Sequence, residues 1–424
     1  MSVPNGWPPA YCGGDSCCGR SSVTPINFAY GPMTDAFGRL RVSQPYTLFD
    51  SHQRYTLDDN FVSNVANGGS VTYLTNQSSA NLSTTTTLDS FAARETKWIF
   101  PYQPGKSQLA LTTFCMAPQA TGLVQRVGYF GHSNGIFLEL SDDLYMVRRS
   151  NTSGTVVDYK VPQSQWSWDV LNGYGTSGYT LDITKTQIFW LDIEWLGVGN
   201  VRTGFVINGQ FLIAHVFQHA NYLTRVYMTT ANLPIRYEIK NTDSAQVSNL
   251  TQICSTVMSE GGYEQPYRLF SNVAAVTRVM TAGTWYPVMS LRLAPDRLEA
   301  IVQVKQVDIV MTTTDTLYWA LWSNVVTLTG ASWTSHAFST SVQIDQSATA
   351  MSTTGAIQVA AGFVSGTNQA AAPIALQLSR YYSQIGRDSF AQTSRVFTLA
   401  TYSVTGVGGG GAGLQALLSW NELL

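Results

Sequence analysis

The sequence predicts an all-β chain: two antiparallel β-sandwich domains, concanavalin-like or jelly-roll, preceded by an extended N-terminal arm. Three observations predict it. Short runs rich in β-branched and aromatic residues recur along most of the chain, punctuated by Gly, Asn, Asp or Ser. The stretch IFWLDIEWLGVGNVRTGFVINGQFLIAHVFQH, 188–219, reads as a meander. Its runs Ile188–Leu196 and Val201–Ile207 join through Gly197–Gly199, and Asn208–Gly209 leads into Phe211–Phe217. Asn and Gly both tolerate the positive φ of a type I′ hairpin turn, so this pair is a strong hairpin signal. Finally, alternation puts Ile188, Trp190, Asp192 and Glu194 on one strand face and Phe189, Leu191, Ile193 and Trp195 on the other. A wholly apolar sheet face needs a second layer, most simply another antiparallel sheet.

Composition narrows the function classes. At 424 residues the chain exceeds the roughly 250–300 at which single cores stop growing. Charged residues are 12%, about half the usual share, while aromatics reach 12%. Disordered chains are poor in aromatics, so a folded, weakly charged surface is expected. A net charge of −2 with no basic run argues against a nucleic-acid groove, where Lys and Arg must neutralise phosphates. No apolar run reaches the roughly 18 residues of a membrane helix, so no membrane partner is expected. Met1–Ala10 has no basic region followed by an apolar core, which argues against a secretory signal. Release from the cell by lysis would suit such a protein.

In chain order, residues 1–30 form a Cys/Gly/Pro-rich arm expected to order against a partner. Cys12, Cys17 and Cys18 have no zinc-site spacing, and three thiols leave one over after any internal pair. An intermolecular disulfide is therefore expected as a candidate. Cys115 and Cys254, in apolar segments, read as buried thiols. Phe37–Val42 reads as a short strand, and Pro45 marks an edge or a turn. The first sandwich is assigned to 31–265, with some twelve strands including Ser70–Thr75, Leu82–Leu88, Ser107–Phe114, Leu123–Phe130, Gly135–Leu140 and Leu144–Arg148. Val161–Asp169 would be another, carrying Trp166 and Trp168 on one face. The second sandwich is assigned to 266–405. Residues 406–424 then read as a flexible linker, Gly408–Gly411, and an apolar tail, Leu414–Leu424, able to form about three helical turns and to dock.

Chemistry-bearing residues are few. His215 and His219 form H-x-x-x-H, but zinc proteases need this spacing on a helix with Glu after the first His, and position 216 is Val. Asp192 and Glu194 lie close enough for the two carboxyl groups of a glycoside hydrolase. They lack the third carboxylate of the E-x-D-x-x-E hydrolases, so a solvent or interface face is expected for them instead. Trp166, Trp168, Tyr174 and Tyr179, set among Gly and Asn, are candidates for stacking on sugar rings, against a core role for the same aromatics. No nucleophile elbow or phosphate loop is present. No catalytic residue, metal or cofactor is expected.

The string AFGRLRVSQPYTLFDSHQRY, at 36–55, resembles the opening of virion structural proteins of tailed bacteriophages, among them phages of marine cyanobacteria and soil bacteria. VGYFGHSNGIFLEL (127–140), SGYTLDITKTQIFWLDIEWLGVGNVRTGFVINGQ (177–210), ICSTVMSEGGYE (253–264) and SLRLAPDRLEAIV (290–302) extend the resemblance across about 30–400. It implies a location in the virion and a non-enzymatic appendage subunit such as a collar, neck or head fibre or spike. Its partners would be other virion proteins of the portal or neck, tail or capsid, and a homotrimer is expected for a fibre. The motif Phe37, Gly38, Arg39, Leu40 and Arg41 would serve as an anchor. The alternative expectation is a receptor-binding module for host polysaccharide or, more remotely, a depolymerase.

Overall fold

The structure, a computed structural model, describes residues 34–36, 39–41, 44–243, 247–262, 267–339, 341–367, 374–375, 383–388 and 390–423. The arm 1–30 with Cys12, Cys17 and Cys18, and Phe37 and Gly38 of the expected anchor, lie outside them.

The first sandwich has a sheet ordered Gln210–Phe217, Val201–Ile207, Gln187–Ile193, Gln108–Cys115, Ser248–Ser259, Ser79–Thr84, Ser70–Leu74, with Tyr46–His52 also paired to Ser248–Ser259. The facing sheet runs Val157–Pro162, Leu144–Ser150, Gly135–Leu140, Leu123–Phe130, Ile235–Asn241, Phe91–Thr96, Phe61–Ala66. One core joins them. Phe189, Leu191, Ile193, Phe205 and Phe114 of the first sheet pack with Val127, Tyr129, Leu138, Ile235 and Tyr237 of the second. The apolar face expected of the strand Gln187–Ile193 is the face in this core. Asn208 and Gly209 both take positive φ, 51° and 76°, as the hairpin requires. In the same hairpin Gly204 sits at a register shift, where a Cβ would lie 1.8 Å from the Leu212 carbonyl oxygen. Only glycine fits there.

The second sandwich pairs a sheet Tyr267–Met280, Val407–Leu423, Ile301–Met311, Ile374–Ala375 with a sheet Thr334–Ser335, Val342–Asp345, Trp285–Leu293, Val396–Tyr402, Thr316–Ser323, Ile357–Ser365. Its core includes Trp420, Leu418, Leu414 and Val304 against Trp319, Leu321, Leu399 and Met289. The expected linker and docking tail are corrected here. Residues Val407–Leu423 form one strand lying between Tyr267–Met280 and Ile301–Met311, with the Gly run inside it. Its apolar residues alternate inward at period 2, which buries them without a helix. The strand Ile301–Met311 is interrupted by a register shift between Val304 and Gln306.

Candidate functional site

Two places concentrate chemistry-bearing side chains. The first is the outer face of the first sheet, where Asp192 and Glu194 lie. Neither faces solvent: they are 1% and 0% exposed, so the face expected to meet solvent or an interface is a covered contact face. Their cover comes from a distant part of the chain. Arg39 Nη2 donates to Glu194 Oε1 at 2.7 Å, and Arg41 Nη2 to Asp192 Oδ1 at 2.6 Å. Arg202, from the neighbouring strand, reaches Asp192 Oδ2 at 2.5 Å and Thr34 Oγ1 at 3.2 Å. Ser107 also donates to Asp192. Asp35 joins by accepting from Arg39 Nε at 2.5 Å. A buried carboxylate needs such partners, since an unpaired buried charge is costly.

Glu194 is only half served, because its Oε2 is buried without a hydrogen-bond partner. Burial pushes its carboxyl up to about 7, with the neighbouring Asp35 adding to the shift and Arg39 opposing it. Two carboxyl groups side by side, one of them raised, would suit hydrolysis. Here, however, both are sealed beneath arginines, and a glycosidic oxygen has no approach to them. The arginines Arg39 and Arg41 thus contact this chain's own sheet.

The second place is the loop 163–181, which runs beside the edge strand Gln210–Phe217. Three residues, Gln163–Gln165, form a 3-10 turn. That turn breaks the strand alternation expected over Val161–Asp169 and sends the two tryptophans to opposite sides. Trp166 is 4% exposed, stacks on Phe205 with centroids 6.2 Å apart, and donates from Nε1 to the Val161 carbonyl at 3.2 Å. It belongs to the core and offers no ring to a ligand. Trp168 is 43% exposed and Tyr174 95%. Tyr179 is half-buried against the core and accepts from Asn208 Nδ2 at 3.2 Å.

The loop is ordered by its own hydrogen bonds. Trp168 and Asp169 both donate backbone N–H to the Ala214 carbonyl at 3.1 Å, and Ser167 Oγ accepts from Val216 N–H at 3.1 Å. The buried Asp169 carboxylate accepts from Leu171 N–H at 2.8 Å and Ser177 N–H at 2.7 Å. Burial works against its charge, but these N–H groups outweigh burial and hold the carboxyl below its ordinary value. Gly175 is required here, because a Cβ would lie 1.9 Å from Asp169 Oδ1. The tip closes through Gly173 N–H to Tyr179 O at 3.0 Å and Leu181 N–H to Leu171 O at 2.9 Å. Asp169 is the residue that sequence reasoning missed. Its signal was the Asp followed by a Gly/Asn/Thr/Ser-rich dozen, the composition of an Asx-centred loop.

The histidines are structural. His215 Nδ1 accepts from Ser167 N–H at 3.2 Å, and His219 Nδ1 lies 2.7 Å from the Gly199 carbonyl and stacks on Tyr227 at 3.7 Å. Burial pushes both down to about 4. No group of three or more His, Cys, Asp or Glu is placed to hold a metal among the described residues.

No protein-family model and no curated protein matches the chain. Solved structures similar to it include the carbohydrate recognition domain of Emp47p, at 10% identity over 51% of this chain and 96% of that one, with a TM-score of 0.33. The CBM2 module of the evolved Dit of Lactobacillus casei BL23 phage J-1 is similar at 8% identity, 53% and 100% coverage, TM-score 0.35. A carbohydrate esterase from the Shiga toxin-encoding bacteriophage phi24B is similar at 8% identity, 52% and 100% coverage, TM-score 0.30. At these identities the likeness concerns the β-sandwich fold, over about half of the chain.

The disulfide expected of Cys12, Cys17 and Cys18 falls on residues outside those described, and among the described residues no disulfide is formed. The described cysteines, Cys115 and Cys254, are free thiols, one half-buried and one exposed, so neither is the buried hydrophobe expected. The expected homotrimer and the expected fibre, collar, neck or spike find no support among the similar structures.

Proposed function

We propose that the protein is a non-catalytic glycan-binding module whose contact surface is the loop 163–181. The observation that carries this reading is Trp168 and Tyr174, exposed on a loop fixed around the buried Asp169. Sugar rings present an apolar C–H face that packs on an aromatic ring and hydroxyls that need polar partners. Both kinds of group occur here: the Asn208 amide donates to the Tyr179 hydroxyl, and Asn172 Oδ1 accepts from Tyr174 N–H. Ordering the loop before binding lowers the entropic cost of capture. The sealed Asp192–Glu194 pair supports binding without hydrolysis.

The test is isothermal titration of the intact chain against host surface polysaccharides. Trp168→Ala and Tyr174→Ala should each weaken binding about 2- to 13-fold, the equivalent of ~0.5–1.5 kcal/mol per aromatic contact. Thermal stability should be unchanged, because both rings are exposed. Full affinity in the double variant would reject the loop as the site.

A structural role in a tailed-phage particle is the second reading, favoured by the resemblance across about 30–400. Neighbouring tail, neck or capsid proteins would be its partners, and host polysaccharide its ligand from that position. Gold-labelled antibody against residues 60–260 should then decorate intact particles, and bare particles would reject it.

A further inference from the structure

Between the two sandwiches lies a cavity of about 220 Å³. The first sandwich contributes Asp59, Asn60, Lys97 and Trp98 to its wall, and the second contributes Asn324, Arg395 and others. Gly386 lets the halves approach: a Cβ there would lie 2.9 Å from the Lys97 carbonyl and 3.2 Å from Arg395 Cδ. The walls are pinned by Arg387 N–H to Lys97 O at 3.0 Å and Arg395 N–H to Gly386 O at 2.9 Å. Trp98 Nε1 donates across the junction to Gln384 O at 3.2 Å.

Two cations therefore face one cavity from opposite sandwiches, and neither is neutralised by an ion pair. Among the described residues Lys97 has no carboxylate within salt-bridge distance, and the Arg395 guanidinium pairs with the Asn324 side-chain oxygen while its Nε is buried and unpartnered. Arg236 and Arg387, by contrast, are matched by Glu95, whereas the buried Arg94 is held by Gln53, Gln252 and the Asp58 carbonyl. The carboxylate in this wall, Asp59, is exposed, so solvent weakens its claim on the cations. Asp58 also acts on Lys97 and Asp388 on Arg395, but neither lines the cavity, so its wall carries two cations against one screened carboxylate, with room for a single negative charge.

We propose that this junction cavity binds a small monocarboxylate, with Lys97 and Arg395 holding the carboxylate from opposite sides. Asn60 and Asn324 would serve polar groups on the ligand, and Trp98, Ile357 and Phe397 supply an apolar wall. The volume falls below the roughly 300–1,000 Å³ of drug-sized sites, which suits a single sugar acid and not an oligosaccharide. Burial, reinforced by Arg395 and Arg94 and opposed by Asp59 and Asp58, pushes Lys97 down to about 8, so binding should weaken as pH rises through that value.

The experiment is titration of the intact chain with sodium glucuronate at constant ionic strength, with glucose as the neutral control and a polyuronate as the polymeric arm. Expected are saturable glucuronate binding, no response to glucose, and a loss of about tenfold or more in Lys97→Met, as for a hydrogen bond to a charged group. Lys97→Arg should restore binding. Polyuronate competing for the Lys97-dependent signal would identify a polymer end as the source, and polyuronate failing to compete would identify a free acid. The proposal is overturned if glucuronate does not bind, or binds equally to a folded Lys97→Met. The glycan loop is untouched by these variants, so the two readings fail separately.

Discussion

Glu194 and the two buried histidines make opposite contributions to stability as pH changes. The Glu194 carboxyl, raised from 4.5 to about 7, holds its proton more tightly in the folded chain. Between those values the folded state binds protons that the unfolded state has released, so this contribution falls as pH rises. His215 and His219, lowered from 6.5 to about 4, do the reverse and favour folding as pH rises from 4 to 6.5. In that window the two histidines act against Glu194 and against Glu299, whose carboxyl burial also raises. Glu194→Gln isolates the carboxyl: its Tm minus that of the natural chain should be more positive at pH 7.5 than at pH 5. A difference independent of pH would mean that Glu194 is not penalised by its burial among Asp35, Arg39, Asp192 and Glu260. The alternation of the strand Gln187–Ile193 was legible in the sequence, as was the apolar face. The burial of its acidic face was not, because Arg39 and Arg41 lie more than 150 residues earlier and spacing says nothing about them.

At the scale of elements, glycines mislead most. A Gly run next to an apolar segment has the composition of a tether and tail, yet Val407–Leu423 is an inner strand. The glycines within it are not equivalent. Gly411 has φ of 78°, and a Cβ there would lie 2.7 Å from the Arg278 backbone, opposite a register shift between Arg278 and Met280. Gly410 faces open space without a positive φ. Gly411→Ala should therefore destabilise by about 1–3 kcal/mol, whereas Gly410→Ala should be neutral or stabilise by up to ~1 kcal/mol through the unfolded chain. Equilibrium urea unfolding reads both, and equal effects would contradict a strained position at 411. Removal of 407–424 should abolish cooperative unfolding of the second sandwich, since Trp420, Leu418 and Leu414 leave its core. A docking tail would be lost without that effect. Short-range signals fared better: Asn208–Gly209 forms its turn because two residues alone set that geometry. The 3-10 turn at 163–165 had no comparable signature, so the outward Trp168 and inward Trp166 were not separable by period.

At the scale of the molecule, the segment Ser383–Asp388 of the second sandwich is held to the first. Ile385 N–H donates to Val302 O at 2.8 Å within its own half, while Arg387 N–H reaches Lys97 O and its guanidinium reaches Glu95 Oε1 at 3.3 Å. Glu95 is shared, its other oxygen accepting from Arg236 at 3.1 Å, and Arg236 continues to Glu238 and, through it, to Arg126. This charged ladder crosses the outer face of the second sheet and ends against the other sandwich. The ladder gives a way to separate the stability of each half from their coupling. Arg387→Ala leaves Glu95 paired with Arg236, so it avoids the ~3–5 kcal/mol loss that follows when a buried charge is stranded. Glu95→Ala strands part of Arg236 and Arg387 together and should destabilise the first sandwich itself. Calorimetry of Arg387→Ala should therefore show one transition broadening or splitting into two, with the first sandwich's midpoint nearly unchanged. Glu95→Ala should instead lower that midpoint. If Arg387→Ala keeps a single sharp transition, the halves are coupled through the bonds that survive the substitution, from Trp98 Nε1 to the Gln384 carbonyl and from the backbone N–H at 387 to the Lys97 carbonyl.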